Sequence, residues 1–460
     1  MGIYTSLVSQ LLFPGHERLK KHDTVAVRRS MEETQWWSAQ QLADLQVEGL
    51  RRLLADAGTN VPYYQALFAQ SGFDPAEIRG VNDLQRLPFL TKSIIRANTE
   101  AMKHPDARGL SRSNTGGSSG EPLVFWIGNE RVSHDVAAKW RATRWWGVDI
   151  GDPEIVLWGS PIELGAQDRV RLVRDRVFRT MLLPAFEMSE EKLDQFISTV
   201  SARRPKMLFG YPSALSLLAR HAEKRAIPMN DLGIKVAFVT AERLYDDQRD
   251  AISRVFGCPV ANGYGGRDAG FIAHDCPSGS MHITAEDVIV ELVDRDGRPV
   301  PVGSPGEIVV THLATRDFPF IRYRTGDIAV FDDRACACGR GLPILREIQG
   351  RSNDFVVAAN GTVMQGAALT YLIRDMPGIT GFKIVQESLQ MTRVLLVVDG
   401  TFDRSHSTEI VANFKRRLGD AVDIQIEFVD EIKAEKSGKY RYIISHVADG
   451  VASPDAGAVR

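Results

Sequence analysis

Three apolar segments, KMLFGYPS (206–213), KVAFVTAE (235–242) and PVANGYGG (259–266), decide the fold class. Each is typical of a buried strand that ends in a turn of small or polar residues, with a helical segment nearby. Similar strand-like segments are EIVLWG (154–159), DVIVELV (287–293) and GEIVVTH (306–312). Strands that alternate with helices predict sheets covered by helices, the α/β class, with ligands at the carboxyl ends of the strands.

The sequence changes character near residue 350, and this change predicts two domains. Residues 1–350 are expected to form a large α/β domain with several sheets. The remainder, 351–460, holds two strand-like runs, RVLLVVDG (393–400) and DIQIEFVD (423–430), separated by a helical run, STEIVANFKRRLG (407–419). We therefore expect a small α+β domain at the carboxyl end, joined to the first domain by a mobile junction.

One helix near the amino terminus is predicted in detail. Residues 36–58 carry a stripe of leucines, which indicates an amphipathic helix. Ser38 and Gln41 form a candidate capping box at its start, and Gly58 stands where a C-terminal cap belongs. The helix is therefore expected to end at Gly58.

The composition excludes several classes of function. Of 460 residues, 44% are hydrophobic and 25% are charged, and the formal net charge is −2. These values are ordinary for a globular protein, and the basic excess of a nucleic-acid-binding surface is missing. No apolar run is long enough to span a bilayer, so a cytoplasmic location is expected. Cysteines stay reduced there, which makes a metal site a better hypothesis than a disulfide framework.

A glycine-rich segment, NTGGSSGEPLVFW (114–126), carries the strongest local signal of function. Its glycines leave backbone N–H groups unshielded and its hydroxyl groups add donors, as a polyphosphate requires of a loop. The segment lacks the Gly-Lys-Ser/Thr ending of a P-loop, and the strand-like LVFW follows where a P-loop has a helix. A flexible turn without a ligand is the alternative interpretation.

The same segment resembles the phosphate loop of adenylate-forming enzymes, the superfamily of acyl-CoA synthetases, peptide-synthetase adenylation domains and luciferases. Segments similar to its other motifs follow in the family's order: GYPSAL (210–215), TAER (240–243), NGYGGRD (262–268), YRTGD (323–327), GRSND (350–354) and SGK (437–439). NVPYYQALF (60–68) and LPFLTK (87–92) resemble the phenylacetate–CoA ligase branch, and TGGSSGEPL resembles its capsular-polysaccharide-type relatives. The resemblance covers nearly the whole chain.

This resemblance implies a two-step reaction. A small carboxylic acid, apolar or aromatic, attacks the α-phosphorus of ATP with the help of Mg²⁺, which forms acyl-AMP and releases pyrophosphate. The acyl group then passes to a thiol, most simply that of CoA. The alternatives left open are an amine, a hydroxyl or a carrier-protein thiol as acceptor, and a descendant that binds nucleotide without catalysis.

The resemblance assigns a set of residues to ATP. They are Thr115, Gly116, Gly117, Ser118, Ser119, Gly120, Glu242, Tyr264, Asp327 and Arg351. Asp327 would accept hydrogen bonds from the ribose hydroxyls, although a turn aspartate also commonly bonds its own backbone. Glu242 and Tyr264 would lie near the adenine, or else belong to the edge of the sheet. Asp268 would help to bind Mg²⁺ where the family usually has glutamate, and its shorter side chain changes the metal geometry.

The resemblance also assigns the catalytic lysine to Lys439, carried on the mobile C-terminal domain. Its ammonium group would bridge the carboxylate and the α-phosphate when the domain closes. Lys433 and Lys436 are close rivals, and a solvated loop lysine is the alternative interpretation. Arg351 would reach the nucleotide at the domain junction, and Asn353 stands where the family usually has a hinge Asp or Lys.

Two cysteine-containing segments, HDCPSGSMHI (274–283) and CACGRG (336–341), form a second constellation. The candidate ligands are Cys276, His282, Cys336 and Cys338. One imidazole and three thiolates are a ligand set that tetrahedral Zn²⁺ takes, so a structural zinc site is predicted. His274 is the alternative nitrogen ligand, and buried reduced thiols are the alternative interpretation.

Aromatic residues indicate which acid the site would take. Phe209, Gly210 and Tyr211 lie at the end of a predicted strand that faces the expected cleft, and we assign them to the acyl pocket. A pocket with these walls would accept an apolar or aromatic acid. The tryptophans between residues 140 and 146 are assigned to core packing instead.

Overall fold

The structure, a computed structural model, describes most of the chain. The described residues are 2–107, 109–115, 123–158, 169–185, 188–351, 355–360, 363–365, 367–374, 376–433 and 441–447. Among them, no helix is both long enough and apolar enough to cross a membrane.

Helices make up the amino-terminal part of the chain. They are α1 (Ile3–Leu7), a π-helical turn (Val8–Leu12), α2 (Phe13–Leu19), α3 (Thr24–Thr34), α4 (Ala39–Asn60), α5 (Pro62–Ser71) and α6 (Lys92–Asn98). Two short 3₁₀ turns, Pro75–Glu77 and Val81–Arg86, lie between α5 and α6. Buried leucines of α4 and aromatic rings of α5 pack into the largest hydrophobic core of the protein.

The helix predicted in detail is α4, and its predicted start is confirmed. The Gln41 N–H donates to the Ser38 Oγ at 3.3 Å, and the Ser38 N–H donates to the Gln41 Oε1 at 3.0 Å. These two bonds satisfy N–H groups that a helix otherwise leaves unpaired at its start.

The predicted end of α4 is wrong, because the helix runs through Gly58 to Asn60. A Cβ at Gly58 would lie 2.7 Å from the ring of Phe68, so this glycine serves the close packing of α5 against α4. The helix ends where Val61 precedes Pro62, since the proline ring forces the preceding residue into the extended region.

An 11-stranded sheet forms the centre of the protein. A separate hairpin of β1 (Ser111–Asn114) and β2 (Val124–Ile127) precedes it in the chain. The strands of the 11-stranded sheet are β3 (Glu154–Trp158), β4 (Thr180–Pro184), β5 (Met207–Gly210), β6 (Val236–Thr240), β7 (Val260–Gly266), β8 (Gly270–Asp275), β9 (Met281–Ile283), β10 (Val288–Val293), β11 (Pro305–His312), β12 (Tyr323–Asp332) and β13 (Ile344–Arg351). Across the sheet they lie in the order β10-β11-β12-β13-β9-β8-β7-β6-β5-β3-β4.

Five strands, β4-β3-β5-β6-β7, pair in parallel and form one half of this sheet. The covering helices are α7 (Asn129–Trp145), α8 (Arg169–Phe178), α9 (Glu190–Arg203), α10 (Pro212–Lys224) and α11 (Asp246–Phe256). Helices α9 to α11 pack on one face and α7 packs on the other. Strand β6 is buried at every position, as expected of a parallel strand covered on both faces. This half confirms the predicted α/β class.

The other half of the sheet is antiparallel, from β8 through β9, β13, β12 and β11 to β10. One face of this half packs against α4 and α5. The parallel strands β5, β6 and β7 end at a common edge, and the first antiparallel strand, β8, begins there after a short turn. The predicted ligand-binding edge of the sheet is therefore the edge where its two halves meet.

Beyond β13, a small unit has a core of its own. Its elements are β14 (Phe355–Val357), β15 (Val363–Gln365), α12 (Ala367–Arg374), β16 (Ile379–Gln386), β17 (Met391–Val398), α13 (Ser405–Leu418), β18 (Asp423–Phe428) and β19 (Ile443–Ser445). Helices α12 and α13 pack on a sheet with the order β18-β17-β16-β19. The ring of Tyr442 contacts that of Tyr245 in the large unit, with centroids 5.5 Å apart. The predicted boundary at residue 350 falls inside β13, and a division into two mobile domains stays a prediction.

Candidate active site and metal centre

The glycine-rich segment begins and ends at the loop end of the β1–β2 hairpin. The Thr115 N–H donates to the Leu123 carbonyl at 3.0 Å, and the Leu123 N–H donates to the Thr115 Oγ1 at 2.9 Å. The predicted phosphate-binding residues Gly116, Gly117, Ser118, Ser119 and Gly120 lie outside the described residues. A strand follows the segment, so the prediction that it is not a kinase-type P-loop agrees with the structure.

Two tyrosines and two aspartates cross-link strands that are distant in the sheet. The Tyr264 hydroxyl donates to the Asp327 Oδ2 at 2.8 Å, and the Tyr323 hydroxyl donates to the Asp268 Oδ2 at 2.6 Å. Three strands separate β7 from β12, which in a flat sheet would hold them about 19 Å apart. The antiparallel half must therefore curl towards the parallel half, and this curl brings each predicted site carboxylate within hydrogen-bond distance of a tyrosine from a distant part of the sheet.

The turn that carries Asp268 is held by an ion pair on α7 whose arginine is buried. Arg131 is 3% exposed, and its guanidinium lies 3.4 Å from the backbone carbonyls of Arg267 and Asp268. Asp135 accepts from the Arg131 Nε at 2.8 Å. Burial alone would raise the pKa of Asp135, but the neighbouring Arg131 and His312 hold that pKa below its ordinary value. The sequence analysis missed this pair, whose only signal is an Arg and an Asp four residues apart on a helix.

The turn that carries Asp327 is fixed by its neighbours. Gly326 has φ +78°, a left-handed conformation that favours glycine, and its N–H donates to Glu307 at 3.3 Å. The Asp327 N–H donates to the Thr325 Oγ1 at 3.1 Å, and that hydroxyl donates to the Ile308 carbonyl at 2.9 Å. Thr325 thus accepts the Asp327 N–H bond within the turn, and the Asp327 carboxylate accepts from the Tyr264 hydroxyl.

Arg322, which the sequence analysis missed, anchors the start of β12. It is 3% exposed, and its guanidinium donates to both carboxylate oxygens of Glu291 at 2.9 and 3.0 Å. The same group lies 4.2 Å above the ring of Phe89, in the segment that resembles the phenylacetate–CoA ligase branch. Its φ of +54° is strained for a residue with a side chain, and such strain persists only where contacts enforce it.

A second strained residue marks the Thr-Ala-Glu-Arg turn after β6. Ala241 has φ +71°, again in the left-handed region. The next residue, Glu242, accepts from the Ser213 N–H at 3.2 Å, in the first turn of α10, where the helix dipole favours a carboxylate. Arg243 donates to the Gln349 carbonyl at 3.0 Å and so joins this turn to β13.

The residues assigned to the acyl pocket lie in an aromatic group at the end of β5. Tyr211 stacks on Trp158 with ring centroids 4.3 Å apart, and Phe209 lies 5.9 Å from the same tryptophan. A Cβ at Gly210 would lie 2.5 Å from the Leu157 carbonyl oxygen, so only glycine fits between the two strands. The structure therefore brings the predicted residues together with Trp158, which the sequence analysis did not include.

The four predicted metal ligands converge. Their donor atoms, from Cys276, His282, Cys336 and Cys338, all lie within 4.8 Å of one another. The Cys276 and Cys336 sulfurs are 3.6 Å apart, and the Cys338 sulfur is 3.2 Å from the His282 Nε2. Ligands about 2.3 Å from a tetrahedral zinc would be separated by about 3.8 Å, so this donor set fits Zn²⁺.

The imidazole of His282 is oriented for metal binding. Its Nδ1 lies 3.1 Å from the Leu342 carbonyl, which leaves Nε2 directed towards the sulfurs. A histidine ligand commonly has its second nitrogen held by such a carbonyl. Burial lowers the pKa of His282 to about 4, so the ring is neutral near pH 7, the form that binds a metal.

His274, the alternative nitrogen ligand, does not belong to this group. It lies opposite His282 in the β8–β9 ladder, but its buried ring packs on Trp145 with centroids 4.6 Å apart. Cys258 is buried in the core between the parallel strands and α11, and burial raises its pKa to about 12.

Comparisons with known proteins find similar sequences. The AMP-binding enzyme family matches residues 179–314, and the CapK C-terminal domain matches residues 356–446. Protein CapK of Staphylococcus aureus is 23% identical over 435 residues, 94% of each chain. The phenylacetate-coenzyme A ligase of Thermus thermophilus is 25% identical over 395 residues, 83% of this chain and 84% of the relative. These matches support an adenylate-forming, phenylacetate–CoA ligase-like family that includes CapK.

The fold of this adenylate-forming ligase also matches a solved structure. A crystal structure of 2-hydroxyisobutyryl-CoA ligase in the postadenylation state has a TM-score of 0.71 and 21% identity. The match covers 89% of this chain and 90% of that chain. This likeness confirms the predicted fold, a large α/β unit followed by a small one.

Of the remaining residues considered for the site, the structure describes Arg351 and Lys433. Arg351 is the last residue of β13, so its backbone stands where that strand leads towards the small unit. Lys433 has an 83% exposed side chain and lies 3.7 Å from Glu431. Lys436, Lys439 and Asn353 lie outside the described residues. Their assignments stay predictions.

We expect about one Zn²⁺ per chain in protein purified without chelators, because four donors complete a tetrahedral set. Cys336→Ser should lower zinc affinity at least about 100-fold, because loss of a direct ligand should cost no less than loss of an outer-shell partner, for which about 100-fold is the upper end. The melting temperature should fall, while turnover per folded molecule changes less. Elemental analysis and thermal melts measure these effects.

The control for the zinc prediction is Cys258→Ala, which alters a buried cysteine outside the ligand group. This variant should keep its zinc even if its stability falls. Wild-type protein that carries no zinc when purified in reducing, chelator-free buffer would contradict the prediction.

Replacing Asp327 with alanine should weaken ATP binding by about 2–4 kcal/mol, since two hydrogen bonds to a charged acceptor would be lost. Tyr264→Phe should cost less, because it removes the donor that orients the carboxylate but keeps the charge. Titration calorimetry with ATP measures both changes.

The matched control is Asp332→Ala at the far end of the same strand, where the carboxylate pairs with Arg334 at 2.6 Å. ATP affinity should be unchanged in that variant. An Asp327→Ala protein with wild-type ATP affinity would mean that the nucleotide lies elsewhere.

Proposed function

We propose that the protein activates a carboxylic acid with ATP as acyl-AMP, releases pyrophosphate, and then transfers the acyl group to the thiol of CoA. The observation that carries the proposal is the reciprocal pairing of Tyr264 with Asp327 and of Tyr323 with Asp268. Two carboxylates, each held by a tyrosine hydroxyl, suit a nucleotide with its metal. Family membership supports this interpretation.

Asp268 would hold Mg²⁺ in this reaction. Its two carboxylate oxygens accept from the Ala269 N–H at 3.1 Å and the Tyr323 hydroxyl at 2.6 Å. A carboxylate has about four acceptor sites, so these bonds orient the group while a hard cation still has oxygen to bind. Mg²⁺ bound there would neutralise phosphate charge as the substrate anion approaches.

Asp327 would fix the sugar of the nucleotide. Its backbone is held by the Thr325 hydroxyl and its carboxylate by the Tyr264 hydroxyl, so little freedom remains to be lost on binding. A carboxylate fixed in this way accepts ribose hydroxyls with a defined orientation. That orientation would set the angle at which the α-phosphorus meets the incoming acid.

The acid would be apolar or aromatic. Phe209, Tyr211 and Trp158 are partly or fully buried rings that meet at the end of β5, next to the turn that carries Glu242. A pocket wall of this kind excludes water, which strengthens electrostatic interactions in the cleft and limits hydrolysis of acyl-AMP.

A second candidate keeps adenylation and changes the acceptor to an amine, a hydroxyl or a carrier-protein thiol. The likeness to CapK favours it, because that likeness spans 94% of this chain and includes the small unit. In this family the small unit would carry Lys439 and help to form the acceptor side of the cleft.

The zinc ion would be structural. The four protein ligands fill a tetrahedral set, whereas a catalytic zinc site keeps one position for water or substrate. Cys276 and His282 flank the β8–β9 turn, and the two other cysteines lie in the loop between β12 and β13. The metal would therefore tie that loop to the sheet.

The test is pyrophosphate release from ATP and Mg²⁺ across a panel of carboxylic acids, with and without CoA. We expect release to depend on one class of apolar or aromatic acid and to yield an acyl-CoA when CoA is present. Acid-dependent release with no thioester would favour the second candidate. ATP binding without release for any acid would indicate a non-catalytic descendant and contradict both.

Lys439→Ala should reduce adenylation by about 100-fold or more, comparable to the loss of a transition-state donor. Its charge would be needed while the carboxylate approaches the α-phosphorus, and not once acyl-AMP exists. Transfer from synthetic acyl-AMP to CoA should therefore fall far less. Single-turnover assays of each half-reaction measure the two effects.

Lys433→Ala and Lys436→Ala are the matched controls, since both lysines lie in the same segment. Both half-reactions should stay near the wild-type rate in these variants. Equal losses in both half-reactions for Lys439→Ala would indicate a defect in folding or docking, and an intact first step would mean that another lysine is catalytic.

A further inference from the structure

The first helical run of the chain buries a mostly polar face and exposes an apolar one. Helix α1, the π-helical turn and α2 form a continuous run from Ile3 to Leu19. The residues that face the protein are Thr5, Val8, Ser9, Phe13 and Glu17, all buried. Three of these five are polar, whereas a helix on the surface of a globular protein normally turns its apolar face inwards.

The outward face of the same run is apolar. Ile3 is 93% exposed, Leu7 45% and Leu11 63%, and their spacing of four residues places them in one row. Tyr4 and Leu12 stand beside the row and are 42% and 39% exposed. Single exposed apolar residues are common, but a continuous row of them marks an interaction surface.

Specific contacts hold the run in this orientation. The Tyr4 hydroxyl donates to the Val177 carbonyl, and the Thr5 Oγ1 donates to the Asp152 carboxylate, both at 2.8 Å. Val8 packs so closely on Gly151 that a Cβ there would lie 2.6 Å from it. The apolar row therefore faces outwards because the polar face is bound to the body of the protein.

Basic residues border the apolar row. Arg18, Lys20 and Lys21 are exposed at the carboxyl end of the run, against one exposed acid, Asp23. Next to the run lies α8, whose Phe178 ring contacts Phe13 with centroids 5.6 Å apart. Exposed residues of α8 and the position after it repeat the pattern of apolar and basic side chains: Leu172, Val173, Arg176 and Arg179.

We propose that this face, the apolar row with its basic border, docks on an anionic lipid surface. The apolar row would lie at the boundary between headgroups and acyl chains, and the bases would contact lipid phosphates. The run has 5 + 5 + 7 residues and so extends about 26 Å in the plane of the surface. The protein would lie on the membrane without crossing it.

A second copy of the chain fits this face less well. A stable protein–protein interface uses roughly 20–30 residues from each partner, and its centre is depleted of charge. The run offers six large exposed apolar residues, Ile3, Tyr4, Leu7, Leu11, Leu12 and Leu19, and bases follow directly after them. One amphipathic helix with a basic border is sufficient for an interfacial membrane contact.

Sedimentation of the full chain with lipid vesicles tests the proposal. Wild-type protein should bind vesicles of phosphatidylglycerol and phosphatidylcholine in equal parts, and should bind pure phosphatidylcholine and high-salt samples far less. The double variant Leu7→Asp/Leu11→Asp should reduce binding about tenfold or more, since it removes apolar contact with the lipid. Lys20→Glu/Lys21→Glu should reduce binding to anionic vesicles by a similar factor.

Two matched controls alter equivalent residues elsewhere. Leu217 and Val302 are isolated exposed apolar residues, and Arg416 and Arg417 are exposed bases on α13. Replacing the first pair with aspartate or the second with glutamate should leave vesicle binding unchanged, and thermal melts should show that every variant folds.

Wild-type protein that stays in solution with anionic vesicles would overturn the proposal. So would equal binding by the Leu7→Asp/Leu11→Asp variant. A concentration-dependent dimer that this variant abolishes, without vesicle binding by the wild type, would identify a second copy of the chain as the occupant instead.

Discussion

The rest of the site depends on two tyrosine–aspartate hydrogen bonds between β12 and the segment formed by β7 and the turn after it. Tyr264 and Asp327 belong to strands with three others between them, so their contact requires the sheet to curl. Buried Arg131 binds the backbone carbonyl of Asp268, and buried Arg322, which precedes Tyr323 in the chain, binds the Glu291 carboxylate. The curl therefore positions both acids together. Each acid depends on a tyrosine from a distant part of the sheet as well as on its own segment.

Most of the fold could be predicted from the sequence, because its signals are local. The capping box at Ser38 and Gln41 depends on residues three apart, and the buried strand β6 is an uninterrupted apolar run. The prediction that the helix ends at Gly58 is wrong, since a glycine inside a helix can make room for a neighbouring side chain as well as form a cap. Its real partner, Phe68, lies on the next helix, and nothing in the local pattern reveals that contact.

The sequence predicts the reactive side chains of the site, but not the residues that position them. Cys276 and His282 were found because few roles suit those side chains in such a pattern, and the structure brings them together with the other two ligands. Arg131 and Asp135 were missed, because an ion pair on a helix usually faces solvent and only tertiary structure buries the arginine of this one. Strain at Ala241 likewise has no signature in its residue type.

The ladder between β9 and β13 has a mechanical consequence for the whole sheet. Only two residue pairs join these strands, fewer than in any other pairing within the described part of the sheet. All of β13, β12, β11 and β10 connect through that seam to the parallel half, and the cluster of three sulfurs and one imidazole lies beside it. The seam lies within the antiparallel half, and the four metal ligands come from both of its sides. A bound ion would therefore reinforce the sheet where its ladder is shortest and oppose local opening there.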